Sequence, residues 1–187
     1  MGTLWFLAGV VLTIAAWLVL RRFIGFGAQT PKDYVGGDGA EFDLRQHLNG
    51  PIACEGVIYG PTGRVTSRFT ADFEADWQGN VGRMTERFFY ESGAIQNREW
   101  KLELDNNGRI RATAPDLIGE GLGTQDGSAV RLKYRIKLPE DSGGHVLDTT
   151  DWMYLAPNGS IVNRSQFRKF GITVAELVAV MRPKEAA

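Results

Sequence analysis

Residues 65–77 read VTSRFTADFEADW. Val65, Ser67, Phe69, Ala71, Phe73, Ala75 and Trp77 alternate with Thr66, Arg68, Thr70, Asp72, Glu74 and Asp76. Successive side chains of a strand point to opposite faces, so this rhythm predicts a long strand with one apolar face and one wet face. The same alternation recurs in Val130, Leu132, Tyr134, Ile136 and Leu138 against Arg131, Lys133, Arg135 and Lys137. Trp100, Leu102 and Leu104 against Glu99, Lys101 and Glu103 repeat it once more.

Turn signals fall between these stretches: Gly60-Pro61-Thr62-Gly63, Gln78-Gly79-Asn80, Ser92-Gly93, Asn106-Asn107-Gly108, Asp126-Gly127, Ser142-Gly143-Gly144 and Pro157-Asn158-Gly159. Asn and Gly tolerate the positive φ that tight hairpins need. About ten strands are expected, near 51–59, 63–77, 81–91, 95–105, 108–115, 117–124, 128–138, 145–156, 160–170 and 172–181. The last, Thr173–Met181, has Ala, Glu and Leu content that would also permit a helix. Closing such a meander removes its exposed edges. The expected fold is therefore all-β: an antiparallel up-and-down, lipocalin-like barrel of about 8–10 strands, with a two-sheet sandwich as the alternative.

Thr3–Leu20, TLWFLAGVVLTIAAWLVL, carries no charge. As a helix it spans about 27 Å, near the roughly 30 Å hydrocarbon core of a bilayer. Trp5 and Trp17 lie near its ends, and Arg21 and Arg22 follow it. No basic residue precedes the run, and the arginines fall where a signal peptide would be cleaved. Residues 1–26 are thus expected to be a single-pass transmembrane anchor, with Leu4–Leu20 as the membrane contact. The arginine pair favours a cytoplasmic soluble domain, with the periplasm as the alternative. Residues 27–50 form a linker in which Glu41–Leu48 could make a short helix. The barrel would occupy 51–182, with 183–187 as a tail.

Composition closes several doors. The chain has 187 residues, 21 Lys+Arg against 22 Asp+Glu, and a net charge of −1. That balance gives no support to nucleic-acid binding. One cysteine, Cys54, excludes an intramolecular disulfide framework and a cysteine-rich zinc site. It is expected to be a buried, inert thiol. His47 and His145 are the two histidines, too few for a histidine-based metal centre. No phosphate loop, dinucleotide fingerprint or serine-nucleophile signature is present, and no cofactor is expected. Gly119–Gly123, GEGLG, reads as a bulged or close-packed strand. His145 with Asp148 imitates a base and its orienting acid, but sits in a turn.

Some polar residues fall on apolar faces. Glu86 shares a face with Met84, Phe88 and Tyr90, and Arg98 shares one with Trp100, Leu102 and Leu104. Both would point inward and pair across the Ser92-Gly93 turn, since a lone buried charge is costly. Asp151 and Arg164 flank the Asn158-Gly159 turn and could meet across a hairpin. Asn163 lies beside them, and Asp116 is an isolated acid in an apolar setting. The candidate ligand site in the barrel interior is therefore Glu86, Phe88, Tyr90, Arg98, Trp100, Asp151, Asn163 and Arg164. An ion pair that only fixes register, and turn capping by the later cluster, are the structural alternatives.

The series Glu86-Arg87-Phe88, Arg98-x-Trp100, Asp116-x-x-Gly119, Asp151-Trp152-Met153-Tyr154, Asn163-Arg164 and Lys169-Phe170-Gly171 resembles the bacterial family called domain of unknown function 3833. The resemblance covers about residues 34–181 and implies no activity, substrate or catalytic residue. Members are commonly described as lipoproteins, whereas no lipidation cysteine directly follows the apolar segment here. Three functions follow from the residues. The first is a membrane-anchored barrel holding an apolar or amphipathic small molecule. The second is a packed interaction module. The last is an enzyme using Glu86, Asp116 or Asp151, which convergence of two of these carboxylates would favour.

Overall fold

The computed structural model describes residues 2–20, 23–36 and 40–184. Helix α1 (Gly2–Leu20) is exposed on all sides. It is long and apolar enough to cross a membrane. The Thr13 hydroxyl donates to the Gly9 carbonyl, which satisfies it inside the helix. Arg21 and Arg22 lie outside the described residues.

Ten strands follow: β1 (Gly50–Tyr59), β2 (Val65–Gln78), β3 (Val81–Tyr90), β4 (Ile95–Leu104), β5 (Arg109–Thr113), β6 (Gly121–Asp126), β7 (Ala129–Lys137), β8 (Val146–Leu155), β9 (Ile161–Lys169) and β10 (Ile172–Pro183). Each pairs antiparallel with its neighbours in sequence, and β1 pairs with β10, so the sheet is a closed barrel. The Val65–Trp77 alternation sets the wall. Phe69, Ala71, Phe73 and Ala75 are buried while Arg68, Thr70, Asp72 and Glu74 are exposed. Residues 173–181 lie in β10, which pairs with β9 and, from Glu176 onward, with β1 as well. The expectation of a strand from residue 117 fails at its start. Residues 114–120 form a loop in which only Leu117 bridges to Ile136, because Asp116 leaves the sheet to reach Arg98.

The barrel has two unlike ends. Turns from even to odd strands lie at one end, and this end is plugged. Helix α2 (Leu44–His47) sits across it, with Phe42, Leu44 and Leu48 buried in the main core. Asp43 caps the helix by accepting from the Arg45 N–H. Arg45 donates to Asn80 in the β2–β3 turn, Leu44 N–H donates to Gln125, and Trp77 Nε1 donates to the Leu48 carbonyl at 2.8 Å. At the other end, turns from odd to even strands make the rim, including the 114–120 loop.

The segment between α1 and α2 is a strap on the outer wall. Phe26 and Tyr34, each in a short 3-10 turn, pack with Ala129, Trp152 and Tyr154. Tyr34 and Tyr154 hydroxyls both donate to Gln29. Gly27 lies beside Arg168, near the rim, whereas Ser128 N–H donates to the Tyr34 carbonyl at the plugged end. The strap thus runs from rim to plug. Gly127, at φ +53, lies so close under it that an added Cβ would come within 1.9 Å of the Tyr34 carbonyl oxygen.

Candidate site in the barrel interior

Pairing places Glu86 opposite Arg98 and also opposite Phe73. Both charged side chains point into the barrel, as their shared face with Met84 and Trp100 requires. A guanidinium nitrogen (Nη1) of Arg98 lies 3.6 Å from Glu86 Oε2. The tighter bonds go elsewhere: Arg98 Nε and Nη2 donate to the two Asp116 oxygens at 2.8 and 3.2 Å. The guanidinium also lies over the Trp100 ring, 4.7 Å from its centroid. One cation is therefore shared by two carboxylates, and the bidentate geometry favours Asp116.

A third carboxylate, Asp151, faces the same interior. It stands opposite Ser165 in the β8–β9 ladder and interacts with the Ser165 and Tyr134 side chains. Burial pushes its pKa up from 3.8. Glu86 is raised as well, chiefly by burial, against the lowering influence of Arg98. Burial, then Asp151, raises the Tyr134 hydroxyl. Buried atoms Glu86 Oε2 and Asp151 Oδ1 make no hydrogen bond. Both are acceptors when ionised, and the buried Thr149 hydroxyl, opposite Tyr134 in the β7–β8 ladder, is likewise without a hydrogen bond.

Glu86, Arg98, Tyr134, Asp151 and Ser165 border a cavity of about 120 Å³, which Asp116 does not line. Its walls are otherwise apolar, formed largely by Phe69, Phe73, Phe88, Trp100, Leu132 and Met153, and the plug residues Leu44 and Leu48 close one side. Glu86, Phe88, Arg98, Trp100, Asp151 and Asn163 all line it. Tyr90 does not: it bonds Gln96 and packs on Phe69 toward the rim. Arg164 points the other way. The hairpin register pairs it with Trp152, not Asp151, which puts it outside the wall with Glu176 and over Phe26. The expected Asp151–Arg164 contact is thus replaced by Asp151–Ser165.

His145 and Asp148 do not form a pair: His145 meets Lys169, and Asp148 meets Arg135. Cys54 is buried and borders the cavity, its thiol pushed up to about 12 by burial, so it stays protonated and inert at neutral pH. Among the described residues no group of three or more His, Cys, Asp or Glu could hold a metal ion. Sequence reasoning missed Asp116 as the main partner of Arg98, and Tyr134 and Ser165 as partners of Asp151. Tyr134 carried one signal, an alternation that turned its hydroxyl inward, where a buried hydroxyl needs a partner.

The pH dependence has a definite sign. An acid whose pKa is raised on folding stabilises the fold below its ordinary range, and this contribution is lost as pH rises through the raised value. Asp151→Asn keeps the shape and removes the charge. It should raise stability by about 1–3 kcal/mol at pH 8, with the gain shrinking toward pH 4. Urea midpoints across that range measure it, and a gain that grew on acidification would contradict a raised pKa.

Fold and interior together define a class: a closed, lipocalin-like up-and-down barrel with charged groups buried beside a small cavity. Within that class, the chain belongs to the family described as Protein of unknown function (DUF3833), whose model matches residues 20–183. Two solved structures are similar in fold. Rv2717c from M. tuberculosis is 18% identical at a TM-score of 0.52, over 75% of this chain and 94% of that one. The S-type phycobiliprotein lyase CPES from Guillardia theta is 6% identical at a TM-score of 0.52, over 77% and 92%. No curated protein matches the chain in sequence.

Proposed function

We propose that this protein is a membrane-anchored barrel that binds a small amphipathic molecule with a hydrogen-bond-donating head. Helix α1 is the anchor. The observation that carries the ligand reading is the pair of unbonded acceptors, Glu86 Oε2 and Asp151 Oδ1, buried beside an apolar cavity. A buried acceptor without a donor costs about 1–3 kcal/mol, and a hydroxyl or amine from a ligand would supply the donor. A cavity of about 120 Å³ is well under the ~300 Å³ of drug-sized sites. The enclosed part of the ligand is therefore small.

The test is thermal unfolding of the full chain in phosphatidylcholine nanodiscs with hexan-1-ol, hexylamine or hexanoate. Bound at a hundred times Kd, a ligand stabilises by about 2.7 kcal/mol, or roughly 5–10 °C for a chain of this size. The alcohol and amine should raise Tm and the carboxylate should not. The double variant Glu86→Gln/Asp151→Asn should lose that discrimination. Equal responses from wild type and variant would refute the reading.

A second reading, proton transfer to or from a carbon atom of the bound molecule, rests on the convergence of Glu86 and Asp116 on Arg98 with Asp151 in the same interior. Buried acids with raised pKa, here Glu86 and Asp151, are the raw material of such chemistry. A ligand recovered after incubation in D₂O without carbon-bound deuterium would rule it out.

A further inference from the structure

Exposed apolar side chains on the barrel are not scattered. Val65, Ile95, Ile118, Leu122, Phe170 and Ile172 are exposed, and topology puts all six at or next to odd-to-even turns, on the rim opposite the plug. Among the described residues, Val81 of the barrel and Val35 of the strap are the exposed large apolar side chains at the plugged end. The exposed apolar side chains of the barrel thus concentrate at the rim, beside the exposed Glu91, Glu120 and Glu140 of the same turns.

The β9–β10 turn is the sharpest case. Phe170 is 91% exposed and Ile172 69%. Phe170 has φ +52 and Gly171 φ +78, the geometry of a two-residue hairpin that favours Asn-Gly. A bulky aromatic there is strained locally, and nothing within the fold covers it. Lys169 lies against its ring, and Arg64 and Arg168 sit at the same end. An aromatic and an aliphatic flanked by cations is the composition that settles in a bilayer interface.

The anchor leads to this end. Leu18, Ile24 and Phe26 border one groove with Gln166, Arg168 and Thr173, beside the β9–β10 turn. The strap then carries the chain away from the rim toward the plug, so the end nearest α1 is the rim. From this continuity we propose that the rim rests on the phospholipid bilayer into which α1 inserts, with Phe170 and Ile172 at the level of the headgroups. The proposal rests on α1 being an anchor. It adds a fixed orientation: the plug faces the aqueous phase and the cavity lies between plug and lipid.

The test uses the full chain carrying Cys54→Ala, with one new cysteine at a time (Phe170→Cys, Ile95→Cys or Val81→Cys) bearing an environment-sensitive fluorophore. It is reconstituted in phosphatidylcholine vesicles containing some phosphatidylglycerol and a lipid spin-labelled high on its acyl chain. Labels at 170 and 95 should be quenched about twofold or more, and the label at 81 should not. Adding Phe170→Asp/Ile172→Asp to the labelled Ile95→Cys chain should abolish its quenching, while the chain still floats with the vesicles. Flotation with equal quenching at both ends overturns the docked rim and leaves the anchor standing. A rim label shielded from water yet not quenched by lipid means that a protein covers the rim, which also overturns it. A chain that does not float overturns anchor and rim together.

Discussion

Replacing Arg98 by methionine should cost about 3–5 kcal/mol at neutral pH, the range found when one partner of a buried ion pair is removed. For a chain of this size that is roughly 6–20 °C in Tm. Glu86 and Asp116 would lose the guanidinium that lies 3.6 Å from one and bonds the other twice. Trp100 would lose the cation stacked on its ring. Removing the cation raises the Glu86 pKa further, so the penalty is present at neutral pH and fades as acid neutralises that carboxylate. The triple variant Arg98→Met/Glu86→Gln/Asp116→Asn should recover most of the loss, because neither carboxylate that met Arg98 is then left charged without it. Urea unfolding of the single and triple variants decides it. A single-variant loss below about 1 kcal/mol would mean that water reaches the cluster.

The shared cation also explains why the interior is asymmetric. Three carboxylates, Glu86, Asp116 and Asp151, face one arginine, and Asp116 takes its best geometry. Glu86 and Asp151 are left with raised pKa values and unbonded oxygens. A sequence optimised only for stability would place apolar side chains there. Keeping acceptors beside a cavity makes sense if something that donates comes to them.

How much of this was legible beforehand divides along physical lines. Period-two alternation is a property of the chain itself, so the Val65–Trp77 and Val130–Leu138 walls, and the inward turn of Glu86 and Arg98, could be read directly. Closure followed from the edge problem. What failed depended on register or on distant segments. Asp151 and Arg164 lie on opposite faces because the hairpin pairs Asp151 with Ser165, and a slip of one residue exchanges inside for outside. Asp116 lies in a loop, where no period reveals a side chain's direction. Trp152 and Tyr154 straddle an inward Met153, and only the strap from Phe26 to Tyr34 explains why Trp152 is buried on the outer wall.

The same limit hid the plug, and its energetic weight gives the second large effect. Residues 27–50 have the glycine, proline and aspartate of a linker, yet Phe42 is 1% exposed and Leu44 and Leu48 are nearly as buried. Phe42 packs edge-on against His47 and its N–H donates to the Gly127 carbonyl at 2.7 Å. Phe42→Ala should therefore cost about 3–5 kcal/mol, the transfer free energy of a phenyl ring plus the cavity it leaves. That is a large share of the 5–15 kcal/mol that holds a typical domain together. Val81→Ala, an exposed apolar truncation at the same end, should stay within about 0.5 kcal/mol. Chemical denaturation of the two variants compares them. If Phe42→Ala behaved like Val81→Ala, α2 would be a tether lying over the barrel end and the cavity would be open there. If the loss is large, the segment before β1 is part of the barrel's core, and a fragment beginning at residue 51 lacks one wall of the cavity, the wall that Leu44 and Leu48 supply.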